Sequence, residues 1–480
     1  MNHFKNELEL GKPFLIKGKW WLPSDVSDIQ YGELSYSEEQ GIQLEIRGFF
    51  KGEGFTFANI ISHPIICGTS LRGDKITLVE ASGGRPFQFP ELLTGPTVIN
   101  ISQQYRVDKV LLGQHFSNIE DIGFVMLTFH MPQLEDWTRQ NSVNVEWKTN
   151  PKSLIIHLNE ADKARADLRD GISIVLPAGW HAPFSRNSAE VWEDSLVRVT
   201  SNKQKELSSM LEILWIFRNL LALMITNPIY PVSMYGTTEV DGKPADVKIF
   251  YEFPRWFGDS KRTCSHEMLF NLGEVDDRFS EIVTRWFEIK NEIGPVYDLF
   301  FAVLDNPISY AEHKFLSLTQ ALESYHRLRR RNEFESKEEF EARILRLKKL
   351  IENNPEGKGD WIWLENKLNH ANEPSFSARI EELVEETKEF LPFLDDALRK
   401  WLIISIKKNR NKMTHPGNCR GDLTGKQIFF INLTLKMVLE VLFLKELRFD
   451  TDAIRSSIRR IYDYKLAQEW VMDIVNAWVQ

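Results

Sequence analysis

Gly41-Ile-Gln-Leu-Glu-Ile-Arg-Gly-Phe-Phe50 alternates apolar and polar residues one by one over its first seven positions. A period of two puts Ile42, Leu44 and Ile46 on one face of a strand and Gln43, Glu45 and Arg47 on the other. Outward from this stretch, short alternating or β-branched runs separated by turn residues extend from about Trp20 to about Ala182. The clearest are Asp74 to Glu80, Asp108 to Gly113, Ile122 to His130, Lys152 to Leu158 and Gly171 to Leu176. They predict an antiparallel sheet or barrel, and no internal repeat interrupts them.

The period then changes. Leu207, Met210, Leu211, Leu214, Phe217, Leu221 and Met224 recur at helical spacing between Lys205 and Ile225, and Asn227-Pro228 stops the run. A further strand, Ala245 to Phe253, ends at Pro254, so the helix before it is expected to pack on the β-rich part. The domain boundary is placed between about Gly258 and Glu267, giving domains of 1–262 and 263–480. Beyond it the pattern is helical: Asp277 to Glu292, Ser309 to Arg331, Glu338 to Glu352, Phe376 to Phe390, Phe393 to Met413, Lys426 to Leu447, Asp452 to Ile461 and Lys465 to Val479. Strands followed by helices give an α+β class, an antiparallel β-rich domain followed by an all-α bundle.

At 480 residues, 42% of them hydrophobic, the chain has ample apolar surface for two or three units. Cys67, Cys264 and Cys419 are far apart, which indicates neither a disulfide framework nor a zinc site. The N-terminal decapeptide mixes charges among its apolar residues and lacks the core of a signal peptide, so a cytoplasmic location is expected. Gln427 to Leu444 is apolar enough to suggest a membrane span, but Asn432, Lys436 and Glu440 fall four residues apart on one helical face. A buried helix with one polar stripe, and no membrane, is the expectation.

A formal charge of -9 excludes a protein that coats nucleic acid with its whole surface. Any RNA contact is local. Basic residues concentrate at Arg327 to Arg331 and at Lys407 to Lys412, each readable as a solvated helix face or as a phosphate-binding patch. Arg327, Lys407, Lys408 and Lys412 are the candidate RNA-binding residues.

Of the eleven histidines, only His415 has an arginine five to seven positions before it, Arg410. Spacing of this kind arises about twice by chance in such a chain, so its setting matters more. Phe393, Leu394, Ala397, Leu398, Trp401, Leu402, Ser405 and Ile406 form an amphipathic helix leading into the pair. Pro416 and Gly417 end it, placing His415 at a helix C-terminus where the dipole favours the imidazolium. Asn411 adds an amide able to hold an imidazole or a phosphate. RNA carries its own nucleophile in the 2′-OH, so a histidine to move protons and an arginine to clamp phosphate oxygens suffice without a metal. On an ideal helix, however, Arg410 and His415 stand roughly 140° apart around the axis and about 7.5 Å along it. Convergence needs an unwound last turn or a second copy of the helix across a two-fold axis.

Arg410-Asn-Lys-Met-Thr-His415 resembles the signature of a HEPN domain of the ApeA-like kind. Phe315-Leu-Ser-Leu-Thr-Gln-Ala-Leu-Glu-Ser-Tyr-His-Arg327 resembles an earlier helix of the same family. Gly18-Lys-Trp-Trp-Leu-Pro23, Gly32 to Tyr36, Gly41 to Leu44, Gly68 to Gly73 and Ile122-Gly-Phe124 resemble an ApeA N-terminal domain. The resemblance implies a bacterial anti-phage protein, in which a sensor-like β domain controls a HEPN endoribonuclease that cuts cellular RNA, plausibly tRNA, in response to a phage-derived trigger. It implies a homodimer or higher homo-oligomer, no cofactor and no metal. Arg410, Asn411 and His415 are then the catalytic residues. Glu323 and His326 are possible supports, with the alternative that Glu323 and Arg327 form only a surface ion pair. Two other readings stay open: a non-catalytic HEPN bundle that dimerises or binds nucleotide or RNA beside an adaptor β domain, and a ligand or carbohydrate binder built on Trp20 and Trp21. No function is assigned to His181 or Cys67, and the acidic blocks Glu333 to Glu341 and Glu381 to Glu389 are read as solvated faces.

Overall fold

The computed structural model describes residues 8–51, 60–84, 87–90, 99–138, 143–159, 162–183, 185–188, 190–240, 242–252, 263–353, 357–368, 371–414 and 423–479. The chain divides into two compact units, one of residues 1–222, 229–265 and 271–284, the other of 223–228, 266–270 and 285–480.

In the first unit, alternation becomes a closed barrel. Its strands are β1 (Phe14–Leu22), β2 (Asp25–Ser37), β3 (Gly41–Arg47), β4 (Ile61–Ser70) and β5 (Lys75–Gly83), with β6 (Phe87–Pro90) beside them and β7 (Ile99–Leu112) completing the ring. The order β7-β3-β2-β1-β4-β5 returns to β7, because β7 pairs with β3 through Ser102 to Arg106 and with β5 through Tyr105 to Leu112. Every pairing in the ring is antiparallel, so closure leaves none of the six strands as an open edge. Ile42, Leu44 and Ile46 point into the barrel core and are fully buried, while Glu45 and Arg47 are exposed. Trp20 is also fully buried there, across from Gly68 on β4. A Cβ on Gly68 would lie 2.2 Å from the indole, so glycine makes room for the ring. A ring sealed in this way cannot stack on an external ligand, which removes Trp20 from the carbohydrate-binder reading.

The far half of β7 has a second use. Lys109 to Leu112 pair with β17, which opens a sheet leading away from the barrel in the order β17-β16-β8-β15-β12-β11. These are β8 (Gly123–His130), β11 (Ala164–Asp167), β12 (Ile172–Leu176), β15 (Leu196–Glu206), β16 (Ser233–Val240) and β17 (Lys243–Tyr251). A separate hairpin of β9 (Val143–Thr149) and β10 (Lys152–Leu158), the short pair β13 (Trp180–His181) and β14 (Trp192–Glu193), and helix α1 (Leu134–Thr138) complete the sequence up to β15. Helix α2 (Leu207–Ile225) follows β15, and its residues to Ala222 belong to this unit, as does α3 (Leu272–Val275).

The second unit is helical: α4 (Phe279–Glu292, from Arg285 onward), α5 (Gly294–Leu304), α6 (Ala311–Arg329), α7 (Lys337–Glu352), α8 (Gly357–Leu368), α9 (Phe376–Thr387), α10 (Asp396–Thr414), α11 (Gly425–Glu446), α12 (Thr451–Arg460) and α13 (Tyr462–Val479). Periodicity gives no sign of α5: Val296, Tyr297, Phe300, Phe301 and Leu304 form its buried face, but Leu299, Ala302 and Val303 on the outer side are apolar too, so hydropathy hardly alternates. Trp286, Phe300 and Phe443 meet edge to face at 5.1 to 5.6 Å at the centre of this unit.

Helices α2 and α11 are both long and apolar enough to cross a membrane by composition, but the most apolar window of α11 is 89% buried within the protein. Its polar stripe is matched inside the bundle. Asn432 Nδ2 donates to the Ala311 carbonyl oxygen at 2.8 Å, and Lys436 Nζ lies 3.2 Å from Glu440 and 2.7 Å from Asp463 on α13. Burial alone pulls Lys436 down, but Asp463 and Glu440 outweigh it and hold the ammonium well above the ordinary lysine range. Burial pushes the Glu440 carboxyl up to about 7 against the pull of Lys436.

Candidate functional site

Helix α10 is placed by one apolar stripe. Leu398, Trp401, Leu402, Ser405, Ile406 and Asn409 are buried, and Asn409 Nδ2 donates to the Ser405 carbonyl oxygen at 2.9 Å. Arg410 comes next, at the edge of that stripe and half-buried. Its guanidinium lies over the Phe376 ring at 4.9 Å, and Nη2 is 3.7 Å from Glu323 Oε2. A cation resting on a π face with a carboxylate to one side keeps a fixed direction. Asn411, Lys407 and Lys408 are exposed and Lys412 is half-buried. His415 lies outside the described residues, together with Pro416 and Gly417. Helix α10 continues to Thr414.

Glu323 and His326 sit one turn apart on α6, and both come to the site region by different routes. Glu323 is 9% exposed and divides its carboxylate, Oε2 toward Arg410 and Oε1 3.3 Å from Arg327 Nη2. Arg327 also donates to Glu373 at 2.8 Å. Glu373 in turn accepts from Arg379 Nη2 at 3.0 Å, and Arg379, fully buried, also donates to Asn332. Arg379 Nη1 stands 3.3 Å from His326 Nδ1, while His326 Nε2 is 2.8 Å from Glu382 Oε2. An arginine only donates, so Nδ1 accepts and the ring proton sits on Nε2, facing Glu382. Both nitrogens of His326 are occupied, which makes it a fixed link in the network.

The basic run on α6 is largely neutralised inside the unit. Arg327 pairs with Glu323 and Glu373, Arg329 with Glu446 and Glu292, and Arg330 with Glu386. Glu292, held by Arg285 and Arg329, has its carboxyl pulled down to about 2. Two carboxylates from the acidic block on α9 serve as partners here, Glu382 for His326 and Glu386 for Arg330 and Lys445, so that block is more than a solvated face.

Phe376, Arg379, Glu373, Glu382 and Asn332 carry no signature in sequence. Glu373, Arg379 and Glu382 reach α6 from 46 to 56 residues away, Asn332 just beyond α6 meets Arg379 from 47 residues away, and Phe376 meets Arg410 on α10. Only the fold brings them together. Among the described residues, no group of three or more histidine, cysteine, aspartate or glutamate side chains is arranged to hold a metal ion.

The ApeA N-terminal domain 1 family model matches residues 15–286, more than half of the chain, and the Apea-like HEPN family model matches 316–453. The chain belongs to the ApeA family. The HEPN match takes in Glu323, Phe376, Arg379 and Arg410 as well as His415. Neither the curated proteins nor the solved structures contain a match to the chain. Family membership suggests an anti-phage role built on a HEPN unit of a nuclease type.

Proposed function

We propose that this ApeA-family protein is an endoribonuclease of an abortive-infection system, cutting cellular RNA, with tRNA as the leading substrate class, in the cytoplasm. In this reading Arg410 stabilises charge on the phosphorane-like transition state, His415 transfers protons to and from the 2′-OH and the leaving 5′-oxygen, and Asn411 positions one of them. The reaction needs no metal, because the nucleophile belongs to the substrate and the arginine supplies the charge that a cation would otherwise bring. Lys407, Lys408 and Lys412 hold the flanking phosphates. Arg327 serves the internal network rather than the RNA. A homodimer brings two such sites together, and the β domain restrains them until a phage-derived trigger arrives.

The observation that carries this reading is the setting of Arg410, directed by Phe376 and Glu323 at the end of a basic helix. Its test is RNA cleavage in the presence of EDTA, with and without extract from phage-infected cells. Wild-type protein is expected to cut, with a rate at least about a thousandfold above those of Arg410→Ala and His415→Ala. Equal cleavage by all three proteins refutes the assignment. Sequencing RNA ends from cells expressing wild-type or His415→Ala protein identifies the target.

A further inference from the structure

Helices α7 and α8 form a hairpin that stands apart from the site helices it joins. None of the residues of α7 is buried, Ile344, Lys348 and Ile351 are half-buried, and the helix packs on α8 with Lys348 Nζ 5.6 Å from the buried Trp361 ring. Most of the α7 surface is therefore open to solvent. That surface has a distinct chemistry. From Arg343 to Ile351 there are four cations and no acid, in a chain of net charge -9. Arg343, Arg346 and Leu350 follow one another along an exposed stripe at spacings of three and four, with Lys349 beside them. Arg343 is 2.7 Å from Glu335, but among the described residues Arg346 and Lys349 have no carboxylate partner. On α8 the Trp363 indole is 66% exposed, one turn before exposed Lys367.

The root of the hairpin lies in the Arg410 network. Asn332 and Glu373, which with His326 hold Arg379, bracket the hairpin in sequence. Just inside them, Asn372 closes its base: the Asn372 carbonyl accepts from Phe334 N at 2.9 Å, and its side chain exchanges hydrogen bonds with Glu335 at 3.0 and 3.1 Å. A helix of sixteen residues carries the basic end about 24 Å from that base.

We propose that the α7–α8 hairpin is an RNA-docking arm, in which Arg346 and Lys349 hold phosphates and Trp363 stacks on a base. An exposed indole on α8 and, on α7, two cations without a carboxylate partner among the described residues suit a flexible polyanion with flat faces, and attachment of the hairpin base to the site network tethers that polyanion to the site. The inference rests on the endoribonuclease reading for its substrate, while its binding prediction stands independently.

The test uses the full-length chain with Arg346→Glu/Lys349→Glu and Trp363→Ala variants. Binding of a fluorescent 30-nucleotide RNA is expected to weaken tenfold or more in each, with Trp363→Phe close to wild type. In cleavage assays KM for that RNA rises at unchanged kcat, whereas a dinucleotide, too short to reach the arm, is cut as before. Unchanged RNA binding overturns the arm, even if Arg410-dependent cleavage is intact. A change in oligomeric state with RNA binding unaltered also overturns it, in favour of an interface between copies. Weakened binding without any cleavage supports the arm and sinks the nuclease reading alone.

Discussion

Glu323 gives one oxygen to each of two arginines, and that division gives it leverage over Arg410. The 3.7 Å contact is too long for a strong charge-assisted hydrogen bond and acts mainly by orienting the guanidinium above Phe376. Glu323→Gln preserves shape and removes the charge that both arginines face. Cleavage is expected to fall about tenfold to a hundredfold in kcat with KM nearly constant, the usual cost of losing a residue that orients a reacting group. Melting monitored by circular dichroism should stay cooperative, and an unaltered kcat would show that Arg410 is positioned without it. At this scale the sequence was informative where residues are neighbours along one helix: Arg410 with Asn411, Glu323 with Arg327. It was silent on Arg379, whose partners Asn332, His326 and Glu373 come from a different helix or loop, since nothing in a linear pattern marks a contact between segments.

Among the elements, α11 shows how a pattern resolves an ambiguity that composition leaves open. Its hydropathy fits a membrane span, yet of the polar residues at intervals of four, Asn432 has a partner on α6 and Lys436 one on α13, while Glu440 pairs with Lys436 on α11 itself. Glu440 connects this helix to pH. Its carboxyl is raised to about 7 from 4.5 by burial, so the native state binds a proton that the unfolded chain releases. The stability that this proton supplies is complete below about pH 4.5 and is lost as pH rises through about 7. Glu440→Gln, a permanent mimic of the protonated form, is expected to gain on wild type between pH 5 and pH 8 by on the order of 1 to 3 kcal/mol. Urea denaturation midpoints at the two pH values measure it, and a difference that does not depend on pH would contradict the assignment. The strand pattern was equally legible in β3, where Ile42, Leu44 and Ile46 face inward as alternation requires. Helix α5 was not, because a helix whose outer side also carries Leu299, Ala302 and Val303 shows little contrast between its faces.

For the whole molecule, charge sets the scale of RNA recognition. A chain of net charge -9 holds RNA only through the cations that are not already neutralised, and the α6 run is taken up by Glu323, Glu373, Glu446, Glu292 and Glu386. Lys407, Lys408 and Lys412 on α10 with Arg346 and Lys349 on α7, beside Arg410 at the scissile phosphate, give about six phosphate contacts, so the slope of log K against log salt should be roughly -4. Titrations between 50 and 300 mM KCl give that slope, and a value of -6 or steeper would mean a far broader basic surface than these helices offer.

The sequence by itself determined the class of each region, because periods of two and 3.6 record which side chains face a core. It also singled out the Arg410 segment, because an apolar helical stripe running into a basic cluster ahead of Pro416 and Gly417 is a local pattern. The tertiary structure alone decided that β7 closes the barrel and then leaves it for a second sheet, since strand pairing depends on which edges meet after chain segments far apart have collapsed together. It likewise decided which arginines of the α6 run are neutralised, because a charge is free or paired according to what packs beside it, and a linear sequence does not contain that distance.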